Sequence, residues 1–309
     1  MTLRHYKTPE ELQELLDSEI KGEKAELPAN NFLENSLRIA IAGEFTATEL
    51  KVYGYPEVNP QYLFLVEYSK LQFPYLHVRA PLNGHKLDLL EESAPLIISK
   101  IAHLLAKHGK LLVVGDAESC DICYRHLCTV TGEKYQTSPV SPTCACGMFY
   151  MTPSQKEAVL AENFTVPEGF SLEPVDVDRD GETIHRLWKN GISAGITKNR
   201  LRYLPSLCAR TTEGEIAGWV MAARFGQISN LFVMPEYRSH GLGKALEISE
   251  AKEFARRGMR VFKYVEKSNT SVYEGTLRSP FWTLWTTEDE DNNETKTPNL
   301  HYFRRYERV

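Results

Sequence analysis

Ile228-Ser229-Asn230-Leu231-Phe232-Val233-Met234-Pro235-Glu236-Tyr237-Arg238-Ser239-His240-Gly241-Leu242-Gly243-Lys244 is the most informative stretch of this chain. An apolar strand ends at a proline. A basic loop with two glycines follows and runs straight into a helix that starts near Leu242. Those are the parts of an anion site. Backbone N–H groups at a helix N-terminus lack intrahelical partners, and the helix dipole favours negative charge there. Gly241 and Gly243 allow close approach of the backbone to a phosphate, or a positive φ. Arg238 adds positive charge, as Lys244 can. An ordinary strand–turn–helix would also use glycines, but strand type, proline, arginine and both glycines in this order are far more specific than G-x-G alone.

Working outward, the pattern predicts a strand at 171–177, helices at 178–189 and 196–203, and three strands at 206–212, 216–224 and 227–233. Thr212-Glu213-Gly214-Glu215 and Phe225-Gly226 turn these strands into an antiparallel meander. A helix at 242–257 carries Ala245, Ile248, Ala251 and Ala255 at helical spacing, with Gly258 just past its end. A strand at 261–265, a short helix capped by Asn269, a strand-like run at 281–285, a solvated loop at 286–298 and a last strand at 301–306 complete this half.

The first half has a similar rhythm. Thr8-Pro9-Glu10-Glu11 opens a helix at 8–20 with a capping box and a proline in the first turn. Strand-like runs cover 37–45, 49–54, 62–68 and 75–80; a helix at 91–107 closes near Gly109, and a buried strand at 110–114, a helix at 120–130 and a strand at 148–151 follow. Residues 137–147 read as a loop. A turn signal at Val166-Pro167-Glu168-Gly169 sets a domain boundary near residue 165, giving domains 1–165 and 166–309. The repeated order suggests duplication without a residue-level repeat.

The string Val233-x-Pro235-x-x-Arg238-x-x-Gly241-x-Gly243 resembles the acyl-CoA-binding signature of the GNAT acyltransferase superfamily, matching every position of it. The resemblance implies an α/β (α+β) fold of two tandem GNAT-like halves, with mixed, mostly antiparallel sheets, flanking helices and a degenerate first half. It implies that Arg238, Ser239, His240, Gly241, Leu242, Gly243 and Lys244 wrap the CoA pyrophosphate. The pantetheine arm would then lie beside Leu231, Phe232 and Val233, with a backbone N–H near Phe232–Val233 polarising the thioester carbonyl.

A narrower resemblance is to the glycine N-acyltransferases. It rests on Pro235-Glu236-Tyr237-Arg238-x-His240-Gly241-Leu242, on Leu187-Trp188-Lys189 and on Val265-x-x-Ser268-Asn269. That branch implies an acyl-CoA-dependent N-acyltransferase acting on glycine or another small amino acid, with Asn269 in the cofactor site. Its proposed glutamate base corresponds here to Gln227, and an amide does not accept a proton at neutral pH. Ser229 shares a strand face with Gln227 by the two-residue period. Tyr273 is the candidate proton donor to the departing thiolate. Two other readings accompany this one: a CoA-binding protein with weakened catalysis, and a GNAT enzyme for another amine.

Composition sets outer bounds. The 309 residues are 42% hydrophobic and 25% charged, enough for a sizeable core without disulfides or a structural metal. With 36 basic and 41 acidic residues the net charge is −5, which argues against general binding to nucleic acid or anionic membranes. No apolar run approaches the roughly 20 residues needed to cross a bilayer. The acidic N-terminal stretch Glu10, Glu11, Glu14, Asp17 and Glu19 is unlike a presequence, so the cytosol is expected, with the mitochondrion as the alternative. Expected partners are acyl-CoA and a small amine, with the chain a monomer and no metal. Cys120, Cys123, Cys128, Cys144 and Cys146, with His126 among them, match no common zinc spacing and read as reduced, packing cysteines.

Overall fold

The structure, a computed structural model, describes the chain except residues 1, 44, 46, 83, 139–143, 189–190 and 290–291, and describes no side chains at 23, 25, 288, 289 and 292–296. In chain order the first half holds β1 (Arg4–Tyr6), α1 (Pro9–Glu19), α2 (Asn31–Ala42), β2 (Glu49–Tyr55), β3 (Tyr62–Ser69), β4 (Gln72–Arg79), α3 (Leu87–His108), β5 (Lys110–Gly115), α4 (Ala117–Thr131), β6 (Tyr135–Thr137), β7 (Cys144–Tyr150) and α5 (Pro153–Ala161). The second holds β8 (Phe170–Pro174), α6 (Val177–Leu187), α7 (Ala194–Tyr203), β9 (Ser206–Thr211), β10 (Ile216–Ala222), β11 (Ile228–Val233), α8 (Leu242–Arg256), β12 (Phe262–Glu266), α9 (Thr270–Leu277), β13 (Thr283–Leu284), β14 (Thr286–Asp289), β15 (Asn292–Pro298) and β16 (Leu300–Arg308).

Local chemistry sets many of these boundaries. Thr8 and Glu11 form the expected capping box on α1. The left-handed glycines Gly43, Gly109 and Gly132 close α2, α3 and α4. The expected strand at 37–45 is instead the C-terminal part of α2. Leu37, Ile39 and Ile41 alternate as a strand would, but Leu33, Leu37 and Ile41 also lie four residues apart on one helical face, and the tertiary packing selects that face. The expected loop at 286–298 is also revised: β14 and β15 pair there as an antiparallel hairpin. Within 137–147, strand β7 starts already at Cys144, and 139–143 lie outside the described residues.

Among the described residues one sheet runs β1-β2-β3-β4-β5-β16-β7-β12-β11-β10-β9-β8. The two ends of this order come from the two halves, but the middle is exchanged. The last strand, β16, lies between β5 and β7, pairing Arg304 with Val113 and Leu300 with Gly147. Strand β7 in turn lies against β12, pairing Met148 with Tyr264. The strand pairing thus runs across the boundary expected near residue 165.

Helices α3 and α4 cover the first part of the sheet with Ile97, Ile101, Leu105 and Leu127. Leu246 and Phe254 of α8 pack on β9–β12. A third cluster joins the halves: Phe32, Leu33 and Leu37 of α2 meet Val114, Met148, Phe225 and Phe262. Asn35 reinforces this joint. Its side-chain amide donates to the Gly226 carbonyl at 2.6 Å, and its Oδ1 accepts from the Arg260 amide at 2.8 Å. Gly226 has φ +66°, and a Cβ there would sit 2.4 Å from the Asn35 Cβ, so the turn just before Gln227 requires glycine twice over. No described helix is long and apolar enough to cross a membrane.

Candidate active site

The site begins where β11 leaves β12. These parallel strands register at Ile228 and Lys263, and no further pair is formed among the described residues. On its other side β11 carries a bulge: Met221 pairs with Ser229 and Trp219 with Phe232, so β11 spends one extra residue. Asn230 sits in that bulge at φ +43°, a region that Asn tolerates better than most residues. Beyond it Leu231 is exposed, while Phe232 stacks on Trp219 at 4.8 Å.

The loop after β11 is built as the sequence suggested. Pro235 opens a short turn, Ser239 has φ +66°, and Gly241 caps α8 at φ +83° without any side-chain cap bond. The first-turn amides of α8 therefore face outward. Arg238 is exposed; its Nε donates to the Val233 carbonyl at 3.0 Å, tying the loop to the strand. His240 and Lys244 are exposed, and the His240 ring lies 6.3 Å from Phe170. An added Cβ on Gly243 would make only ordinary contact with Leu231 and Val233, so this position needs smallness less strictly than Gly241.

On the inner side of the β11–β12 split lies a cavity of about 550 Å³. Gln227 and Ser229 both line it, with Ile228 between them. Gln227 is 7% exposed and its Oε1 has no hydrogen-bond partner. Tyr264 and Glu266 of β12 line the same space. The Tyr264 hydroxyl is buried without a partner, and burial pushes its pKa well up, so it stays protonated. Tyr75, Leu112, Phe303 and Arg305 close the cavity from β4, β5 and the exchanged strand β16. The first half and the chain's last strand therefore wall one side of a cavity whose other side belongs to the second half.

Tyr273 is not among the lining residues. It packs edge-on against Phe149 at 5.1 Å, its unpartnered hydroxyl lies against Gly147, and burial raises its pKa. Asn269 is exposed at the N-terminus of α9 and makes no side-chain cap bond. The cysteines divide. Cys120 and Cys123 are buried in the core around α3 and α4, where burial pushes the Cys123 thiol up to about 12, and His126 pairs with Glu91 at 2.8 Å. Cys144 and Cys146 line the cavity.

Sequence reasoning missed Asn230, Tyr264, Arg200 and Arg224. Asn230 carried a faint signal, being a residue with αL tolerance inside an apolar strand. Arg200 and Arg224 stand in separate elements, and nothing local marks them as neighbours.

Comparison with known proteins agrees with this geometry. The family model described as FR47-like protein matches residues 207–274, from β9 to α9. A Drosophila protein of known structure superposes with a TM-score of 0.69 at 15% identity, covering 98% of this chain and 97% of the other. A tandem GNAT protein from the clavulanic acid biosynthesis pathway gives 0.52 at 15% identity, covering 99% and 98%. The chain thus has the tandem GNAT fold. Within that class its sequence is similar to the glycine N-acyltransferases. That of Rattus norvegicus is 27% identical over 106 residues, which is 33% of this chain and 36% of that one. The match spans about a third of the relative's length.

Proposed function

We propose that the protein transfers an acyl group from acyl-CoA to the amine of glycine or another small amino acid, by direct attack on the thioester. The observation that carries this reading is the split between β11 and β12. It has a basic, glycine-containing loop at its outer end and a half-open cavity lined by both apolar and charged side chains at its inner end. In this reading the loop from Arg238 to Lys244, with Asn269 nearby, holds the CoA phosphates. Leu231, Phe232 and Val233 line the pantetheine arm. The amine nitrogen attacks the carbonyl carbon, the C–N bond forms and the C–S bond breaks. One amine proton is lost, and the thiolate gains a proton. Gln227 Oε1 is a free acceptor that can orient an amine N–H but not take its proton. For the thiolate the candidate donors are Tyr273, from the resemblance, and Tyr264, a residue of the cavity wall whose buried hydroxyl has no partner. The reading extends to a monomer in the cytosol, with the mitochondrion as the alternative.

The amide at Gln227 favours a second reading, a CoA-binding protein with weakened catalysis. A thiol-release assay separates the two. It crosses acetyl-, benzoyl- and medium-chain acyl-CoA with glycine, glutamine and simple amines. Amine-dependent thiol release above hydrolysis is expected. CoA binding by calorimetry with no release across the panel would leave only the binding role.

A further inference from the structure

Arg200 and Arg224 face the same cavity, and together they carry more positive charge than the described residues around them neutralise. Arg200 is 4% exposed, its Nε has no hydrogen-bond partner, and its ring contact is Trp188 at 5.0 Å. Arg224 is 5% exposed. It lies over the Tyr75 ring at 3.5 Å, and its Nη1 donates to Glu67 at 2.6 Å, which leaves Nη2 unpartnered. The two guanidiniums repel, and burial with that repulsion lowers the Arg200 pKa to about 10, still fully charged at neutral pH. Glu67 is the carboxylate whose field reaches both, and it is already spent on Arg224. Arg305, also lining the cavity, adds a third unpartnered guanidinium nitrogen, its Nε. Among the described lining residues, Arg200, Arg224, Lys267 and Arg305 face a single acidic side chain, Glu266. A buried cation without a counter-charge is costly, and a bound anion removes that cost. Guanidinium forks match the two oxygens of a carboxylate.

We propose that this pair binds the carboxylate of the acceptor, so that the amine is selected as part of a free amino acid. The proposal rests on the N-acyltransfer reading and deepens it. Arg224 and Gln227 belong to one tight turn, in which the Ala223 amide donates to the Gln227 carbonyl at 2.8 Å. The group that grips a carboxylate and the group that can orient an amine thus stand three residues apart. That spacing suits a ligand whose amine and carboxylate are themselves close, a small α-amino acid. A protein lysine or N-terminus has no α-carboxylate beside its amine to offer. The same chemistry could come from the far end of a dicarboxylic acyl-CoA, and the test below separates the two sources.

The test compares glycine with glycinamide, and succinyl-CoA with butyryl-CoA, on the parent, Arg200→Met and Arg200→Lys. Affinity for desulfo-CoA reports whether each variant is folded. For the parent, kcat/KM should be about 100-fold lower with glycinamide, although its less basic amine is more often neutral. Arg200→Met should raise KM for glycine about 30-fold or more with a smaller change in kcat, and leave glycinamide unaffected. Arg200→Lys should recover part of the loss. Equal use of glycine and glycinamide by the parent would overturn the proposal while leaving N-acyl transfer intact. A penalty of Arg200→Met confined to succinyl-CoA would assign the carboxylate to the acyl group and likewise overturn it. If no amine is acylated, the N-acyltransfer reading fails instead. Tryptophan fluorescence with N-acetylglycine and N-methylacetamide then decides the carboxylate site by itself. Binding of the first alone, lost in Arg200→Met, upholds it, and equal binding or none refutes it.

Discussion

In the first half β4 and β5 stay in register at Tyr75–Leu112, Leu76–Val113 and His77–Val114, whereas in the second β11 and β12 meet only at Ile228–Lys263 among the described residues. Both junctions join a meander to the strand that follows a long helix. The closed one is filled: His77 is fully buried, stacked on Phe32 at 3.6 Å and edge-on to Phe225 at 4.9 Å. The open one has the bulge at Asn230 and the cavity behind it. The helix starts differ as well. The Lys86 amide at the start of α3 donates to the Tyr62 hydroxyl at 3.3 Å, while α8 begins behind Gly241 with no side-chain cap. One order of elements can therefore make either a sealed sheet or a binding cleft. One extra residue in one strand, and the loop chemistry that follows it, separate the two outcomes.

The hardest test of this contrast is Arg238→Glu. A reversed charge where the proposed function puts the CoA phosphates should lower CoA affinity by about 100-fold or more. Calorimetry with desulfo-CoA checks this, because the contact is to phosphate and not to sulfur. The parent should bind one equivalent per chain; two equivalents would mean that the first junction opens too. Next in size, Tyr264→Phe should lower kcat at least tenfold with little change in acyl-CoA affinity, if its hydroxyl supplies the proton. Tyr273→Phe should change kcat less. The reverse ranking, measured by single-turnover kinetics, would return the role to Tyr273.

Asn230→Val places a β-branched residue at a positive φ, at a cost of roughly 1–2 kcal/mol. The strand can relieve that strain by losing its bulge, so CoA affinity and melting temperature should both fall, while Asn230→Gly should retain both. An unchanged Asn230→Val would show that the bulge does not hold the cleft open. The smallest effect belongs to the helices. The buried face of α3 is Leu90, Ser93, Ala94, Ile97, Ile98, Ile101, Leu104 and Leu105, but α8 buries Glu250, whose carboxylate oxygens have no partners. Burial raises the Glu250 pKa from 4.5 to about 8. Between those values the unfolded chain releases a proton that the folded chain keeps, so this residue costs stability progressively as pH rises through that window. Below it the carboxyl is protonated in both states. Glu250→Gln should stabilise the fold by about 1 kcal/mol at pH 8, since its amide is also buried, and by nothing measurable near pH 4. Melting curves at the two pH values check the sign.

Much of the second half was legible because its signals are local. Proline 235, the glycines and Arg238 act within one turn, and the meander around Phe225-Gly226 follows from alternation and turn chemistry. Two of the misread segments failed for a related reason. Residues 37–41 satisfy both the strand and the helix period, and the local pattern cannot choose between them. In 286–298 the abundance of Asp, Glu and Asn read as solvation, but solvated residues can still pair as a hairpin.

By itself the sequence determined most of the elements and the basic, glycine-containing loop after β11, since each depends on interactions spanning a few residues. The tertiary structure alone decided the exchange of β7 and β16, because strand partners are chosen across the whole chain by which apolar faces fit. It alone assembled the cavity from β4, β5, β11, β12 and β16. It alone brought Arg200 and Arg224 to one cavity, because the cost of an unpaired charge depends on burial and neighbours that no stretch of sequence contains.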